Sequence, residues 1–312
     1  MRIGKLNIKG KLILAPMVGI NCASFRLLCK EEGASLVSTG MIHTNSLKGI
    51  DSIIKKGSFN KKDKPLSIQL VGSNGKAAGK FCSEIEHYAD IIDFNLGCPD
   101  KSIIALKAGS YYLKHPEKIE NTLSPIIANT NKPVTAKIRI GWDKSSINTL
   151  EVISILENLG VAAISIHGRT KEQLYSGKVN LDEIKKAKEK ANIPIIGNGD
   201  IFKPEDAKAM LDKTGCDFIM LGRGSIGNPS IFRATKELLE KGKITSKITH
   251  EDKLKTISKF ITYYEKYDHM GKFSELRQQS LWFTKSLHNS RRLRNLISKT
   301  KNIKEIKSIL NI

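Results

Sequence analysis

Cys98 stands between a glycine and a proline in DFNLGCPDK, residues 93–101, where a short apolar run ends. A thiol there is either a small buried side chain or a reactive group, and its chemistry depends on its neighbours. Lys137 and Arg139 lie two apart in TAKIRI. On a strand they share one face, while Ala136, Ile138 and Ile140 take the other. Two buried cations need a counter-charge, either an anionic ligand or an internal ion pair to Asp93 or Asp200. IIGNGDI and MLGRGSIGNP add glycines that let backbone N–H groups approach a phosphate, with Arg223 beside them. His167, at the end of another apolar run, reads either as a hydrogen-bonded core residue or as part of the same site.

Eight short β-branched or apolar runs must position these groups: 11–17, 35–41, 66–72, 91–98, 134–141, 162–168, 193–200 and 217–224. Helical patterns separate them, including CASFRLLCKEEG, SINTLEVISILENLG and KPEDAKAMLDKTG, each with a glycine at its end. Strands alternating with helices predict a parallel sheet, and a count of eight predicts a (β/α)8 TIM barrel. Polar residues then collect where a barrel builds its active site, at the C-terminal strand ends. They are Gln69, Asn95, Cys98, Lys137, Arg139, His167, Arg169, Asn198, Asp200 and Arg223, joined by Pro16 and Met17.

After Phe232 the strand signals stop. Thr249 and Asp252 have capping-box spacing, and the helical patterns that follow predict a small basic all-α domain. The expected division is a barrel over 1–240 and a helical domain over 241–312. From Lys241 onward there are 17 Lys and Arg against 6 Asp and Glu, so about half of the formal charge of +21 sits in under a quarter of the chain. That asymmetry points to a polyanionic partner. Five cysteines without a C-x-x-C pair indicate neither a disulfide framework nor a zinc site. The apolar stretches are too short to span a membrane, so a soluble cytoplasmic protein with no metal and no evident protein partner is expected. Gly222 to Gly227 matches G-x-G-x-x-G, but no acidic residue follows at dinucleotide spacing, and a mononucleotide cradle is the better reading.

Taken in order, APMVGI, QLVGS, NLGCP with KAGSYYL, TAKIRIGWD, HGRTKEQLYSG, GNGDI and LGRGSIGNPSIF resemble the tRNA-dihydrouridine synthases. RQQSLWFTKSLHNSRRLR is similar to that family's helical tRNA-binding domain. The resemblance implies an FMN enzyme that uses NADPH to reduce a uridine of tRNA to 5,6-dihydrouridine. It implies that Pro16, Met17 and Val18 line the flavin, that Gln69 bonds its ring edge, and that Lys137 and His167 lie near the ring and ribityl chain. Asn198, Gly199, Asp200, Gly222 and Arg223 would hold the ribityl and phosphate. Asn95 would bond the target uracil, Arg169 would help position it, and Cys98 would be the general acid. In the helical domain Arg277, Lys285, Arg291, Arg292 and Arg294 are expected to contact phosphates. Gly40, Leu181 and Ser230 depart from the family's usual residues. The alternatives are a flavin barrel reducing a free pyrimidine or another small enone, and a non-catalytic RNA-binding barrel.

Overall fold

The computed structural model describes residues 1–44, 59, 61–268 and 271–312. All eight expected strands form. In chain order the strands are β1 (Arg2–Ile3), β2 (Leu6–Asn7), β3 (Leu12–Leu14), β4 (Val37–Ser38), β5 (Ile42–His43), β6 (Leu66–Val71), β7 (Ile91–Asn95), β8 (Val134–Arg139), β9 (Ala163–His167), β10 (Ile195–Asn198) and β11 (Phe218–Leu221). The parallel order is β3-β11-β10-β9-β8-β7-β6-β4, and a bridge between Ile13 and Leu36 closes the ring. β5 is a two-residue addition beside β6, and β1 and β2 form an antiparallel hairpin. The hairpin brings Ile3 to the barrel's apolar floor, where Ile3 and Ile8 pack with Ile13, Leu36, Ile91, Ile196 and Phe218.

Strand alternation sorts the side chains. Ile68, Phe94, Ala136, Ile138, Ile164 and Ile166 join the core between sheet and helices. Their neighbours Ser67, Asp93, Thr135 and Ser165 surround a small void inside the barrel.

The helices are α1 (Ala23–Glu31), α2 (Gly75–Ile85), α3 (Lys101–Ala105), α4 (Tyr111–Lys114), α5 (Ile119–Ala128), α6 (Thr149–Asn158), α7 (Leu181–Lys190), α8 (Pro204–Thr214) and α9 (Ile231–Lys241). Beyond them lie α10 (His250–Tyr267), α11 (Phe273–Phe283), α12 (Ser290–Ser298) and α13 (Ile303–Leu310). α10 opens with the Thr249–Asp252 capping box. These last helices share the barrel's core: Phe260, Leu276, Phe283, Ile297 and Ile306 belong to the same buried cluster as the barrel's outer face.

Polar contacts also tie the two regions, the most buried through Asp268. α1 has no side-chain cap of its own at Cys22. Buried Asp268 supplies one, accepting from the backbone N–H groups of Ala23 and Ser24 at 2.9 Å and from the Ser24 hydroxyl. A carboxylate at a helix start both fills orphan donors and meets the positive end of the dipole. Asp268→Ala should therefore lower stability by about 1–2 kcal/mol, read as a lower denaturant midpoint at constant slope; an unchanged midpoint would show that the cap is dispensable.

Candidate active site

At the C-terminal end of the barrel lies a cavity of about 670 Å³. Thirteen of the residues singled out in the sequence line it: Pro16, Met17, Val18, Gln69, Asn95, Cys98, Lys137, His167, Asn198, Gly199, Asp200, Gly222 and Arg223. Arg139 lines it too.

The seventh strand ends at Asn95, three residues short of Cys98, although the apolar run continues. Asn95 itself stops the ladder: its Oδ1 accepts from Gly97 N at 3.1 Å and Cys98 N at 2.8 Å, which turns the chain and swings Cys98 into the loop. Gly109 packs under this turn, since a Cβ there would lie 2.8 Å from the Cys98 carbonyl oxygen. Cys98 is half-buried, beside Val71, Ile103 and Ala108. Burial pushes its thiol above the ordinary range, so it is protonated at neutral pH.

Below it a polar chain crosses the barrel. Asp93 accepts from Thr135 Oγ1 and Gln69 Nε2, both at 2.6 Å, and Gln69 Oε1 accepts from Asn95 Nδ2 at 2.9 Å. With Asp93 engaged in this way, Lys137 makes no ion pair among the described residues. Its Nζ donates to Asn198 Oδ1 at 3.1 Å. Burial, with Arg139 nearby, brings Lys137 down to about 8. The Arg139 guanidinium is held by carbonyls of Gly97, Thr170 and Leu174 at 2.8–3.1 Å, likewise without a carboxylate among the described residues. Of the two alternatives the sequence left open, the internal ion pair to these cations does not form.

Asp200 is taken by other arginines. Arg169 donates to its two oxygens at 2.8 and 2.5 Å, and Arg223 reaches it at 3.4 Å. Arg169 also binds the carbonyls of Ser176 and Gly177, and is only 2% exposed. Arg169, expected to help position the base, is not among the residues lining the cavity; its donors face Asp200 and the 170–177 loop, which it braces. His167 sits among Lys137, Arg139, Arg169 and Arg223; burial first, then these cations, hold it well below its usual value, so it is neutral at pH 7.

The phosphate-type loops adopt the geometry their glycines suggest. Arg223–Ser225 is a 3₁₀ turn, which leaves its first N–H groups without partners inside the turn. Gly224 passes so close to the next loop that a Cβ would lie 2.1 Å from Ile201 O.

A family model described as Dihydrouridine synthase (Dus) matches residues 13–311. The chain belongs to the dihydrouridine synthase family. The tRNA-dihydrouridine synthase B of Pasteurella multocida is 36% identical over 290 residues, 92% of this chain and 87% of that one. That of Shewanella oneidensis is 34% identical over 279 residues, 89% and 86% of the two chains. Among solved structures, a variant of NCR from Zymomonas mobilis aligns with a TM-score of 0.55 at 15% identity, covering 81% of this chain and 93% of that one. Histamine dehydrogenase from Rhizobium sp. gives 0.55 at 14% identity, over 84% and 50%. These two share the fold. As a dihydrouridine synthase family member, the protein is a flavin-dependent oxidoreductase.

Among the lining residues not singled out from the sequence, one faces two of the site's cations. Tyr175, 55% exposed, stands at the cavity mouth with its ring centroid 4.3 Å from the Arg223 guanidinium and 5.7 Å from that of Arg139. Leu174 before it has φ +50°, an uncommon conformation held by the bond from Arg139 to its carbonyl. LYSG gives no periodic signal of this; only the fold brings the two arginines to it. In the helical region, Lys285, Arg291, Arg292 and Arg294 are exposed. Arg277 is half-buried and spends one donor on the Thr300 carbonyl at 2.9 Å. Among the described residues no helix is long and apolar enough to cross a membrane, and no cluster of three candidate metal ligands occurs.

Proposed function

We propose that the protein is a tRNA-dihydrouridine synthase that holds FMN in this cavity and uses NADPH to reduce a uridine of tRNA to 5,6-dihydrouridine. The observation that carries this reading is that a protonated thiol, two cations without carboxylate partners and a glycine-lined cradle open on one cavity of about 670 Å³. That volume suits a cofactor with room for a base. An anionic mononucleotide fits the donor set, since it would neutralise cations that the protein leaves uncompensated.

The flavin, when bound, supplies the hydride that adds to C6 of uracil. Everything else falls to the chain. Arg223 and the backbone amides of Arg223 and Gly224 take the phosphate, with Gly199 and Gly222 giving close approach. Asp200 anchors Arg223, and Asn198 aims Lys137. Lys137 places positive charge where reduction of the ring builds negative charge. Pro16, Met17 and Val18 cover the ring and Gln69 reaches its edge. Neutral His167 can donate or accept without adding a fourth charge. Asn95 holds the base, and Cys98 gives the proton that C5 requires. A uridine reaches this depth only when flipped out of the tRNA, at a cost of a few kcal/mol; phosphate contacts from Arg277, Lys285, Arg291, Arg292 and Arg294 offset it.

The purified protein should be yellow, and unmodified tRNA should stimulate its NADPH oxidation with dihydrouridine as product, while free uridine should not. Binding of tRNA should weaken steeply with salt, because each phosphate contact releases counterions. A preparation that turns over free uridine as well as tRNA, or whose NADPH consumption ignores tRNA, would overturn the reading.

A further inference from the structure

We propose that Gln279 and Asp268, on and beside the helices that follow the barrel, are positioning residues for the cofactor: they hold the Pro16–Cys22 loop in its cavity-lining shape. The proposal rests on FMN occupying the cavity. In the closed ring β3 and β11 are neighbours, yet they come from opposite ends of the barrel sequence and no βα connection joins them. The loops after these two strands carry Pro16 to Ile20 and Gly222 to Ile226, which meet side by side on the cavity wall: Met17 Sδ lies 3.9 Å from where a Cβ on Gly222 would be.

α11 spans this seam. Gln279, only 1% exposed, donates from Nε2 to Ile20 O at 2.6 Å and toward Cys22 Sγ at 3.7 Å. Asp268 fixes the two residues that follow Cys22. About one turn beyond Gln279, α11 meets the second loop: Gly227, at φ +66°, approaches so closely that a Cβ would lie 2.5 Å from Trp282 O. From inside the barrel, Asn21 Nδ2 binds the Ala15 and Ser38 carbonyls at 2.8 and 2.7 Å, fixing the same loop at its root. Ile20 O also accepts from Cys22 N at 2.8 Å inside the loop, so Gln279 supplies the tie from outside it, from a residue 259 positions away.

Gln279 also carries a buried Oε1 without a hydrogen-bond partner. A group kept at that cost is placed for its other bond. This separates positioning from stability. Gln279→Leu fills the same space and removes the unsatisfied oxygen, so the fold should be retained while Ile20 O keeps only the local Cys22 N–H and the loop loses its tie to α11.

The test is FMN binding to protein stripped of flavin, followed by quenching of flavin fluorescence, with the thermal midpoint measured on the same samples. Gln279→Leu should raise the FMN dissociation constant about tenfold with a midpoint within a few degrees of the parent, and Asp268→Asn, which keeps the side chain's size and one of the cap's two acceptor oxygens, should raise it less. An FMN affinity within twofold of the parent would overturn the proposal. So would a loss of affinity only in step with a falling midpoint, which would make Gln279 a stability residue; Gln279→Met then repeats the measurement in a flexible isostere, and parent-like affinity there also overturns it. If the parent protein itself fails to bind FMN, the functional reading fails instead.

Discussion

Cys98→Ala will keep its flavin and the reduction of that flavin by NADPH, and will lose uridine reduction by about 10²–10⁴-fold, the usual contribution of a positioned general acid. The two half-reactions separate because Cys98 lies on the loop after β7, whereas the cradle is built by the loops after β10 and β11. Removing one sulfur from the half-buried 97–99 turn leaves the backbone bonds from Gly97 and Cys98 to Asn95 in place. The pH dependence has a definite sign. The active form is the protonated thiol, and burial raises its pKa above the ordinary thiol range. Uridine reduction in the parent should therefore hold through neutral pH and fall on the alkaline side, first as Lys137 loses its proton at about 8 and then as the thiol ionises. Stopped-flow oxidation of the reduced flavin by tRNA measures the loss directly. A variant that purified without flavin would make Cys98 structural, and one that reduced uridine at the parental rate would place the acid elsewhere.

The eight strands were legible because each is a short run of β-branched and apolar residues bounded by glycine, proline or polar residues. Lys137 and Arg139 were legible as inward-facing because a period of two admits one solution when Ala136, Ile138 and Ile140 must meet the helices. What the sequence left open was how charges pair. Asp200 had several cations to choose among; it binds Arg169 because Asp200, at φ +50°, turns its carboxylate toward the 170–177 loop. No one-dimensional pattern records that turn, and Tyr175 was passed over for the same reason. Asp93 follows a similar logic: two neutral donors on adjacent strands, Gln69 and Thr135, satisfy it before Lys137 is called upon. The end of the strand signals at Phe232 marked where the barrel's chain ends, but not what covers its first helix. Contacts such as Asp268 to Ala23, 245 positions apart, leave no local trace.

A chain cut after Gly242 will not give a free flavin barrel; it will be recovered as aggregate or as a dye-binding, expanded state without FMN. The fully buried Phe25 of α1 packs edge-on against Phe283, with centroids 6.5 Å apart, and Phe260 packs against Phe283 in a tilted pair at 5.0 Å. Cutting the chain exposes this side of the core and α1 loses its cap; a Phe deleted from a core already costs about 3–5 kcal/mol, a large part of a domain's whole stability. Glu31 would also lose Tyr263 and Lys259, which reach it at 2.6 Å. Truncation therefore cannot test whether the helices bind RNA, because it removes the fold with the function. Charge reversal can. Arg291, Arg292 and Arg294 are exposed on α12, which has no acid in its first turn, so Glu at these positions leaves the core untouched and meets the helix start favourably. If all three contact phosphates, the triple variant should keep its flavin and its NADPH-driven reduction, while the slope of log affinity for tRNA against log salt becomes shallower by about 2–3, at ~0.7–0.9 per contact. A soluble, yellow 1–242 fragment would refute the shared core, and an unchanged salt slope would move the phosphate contacts off α12.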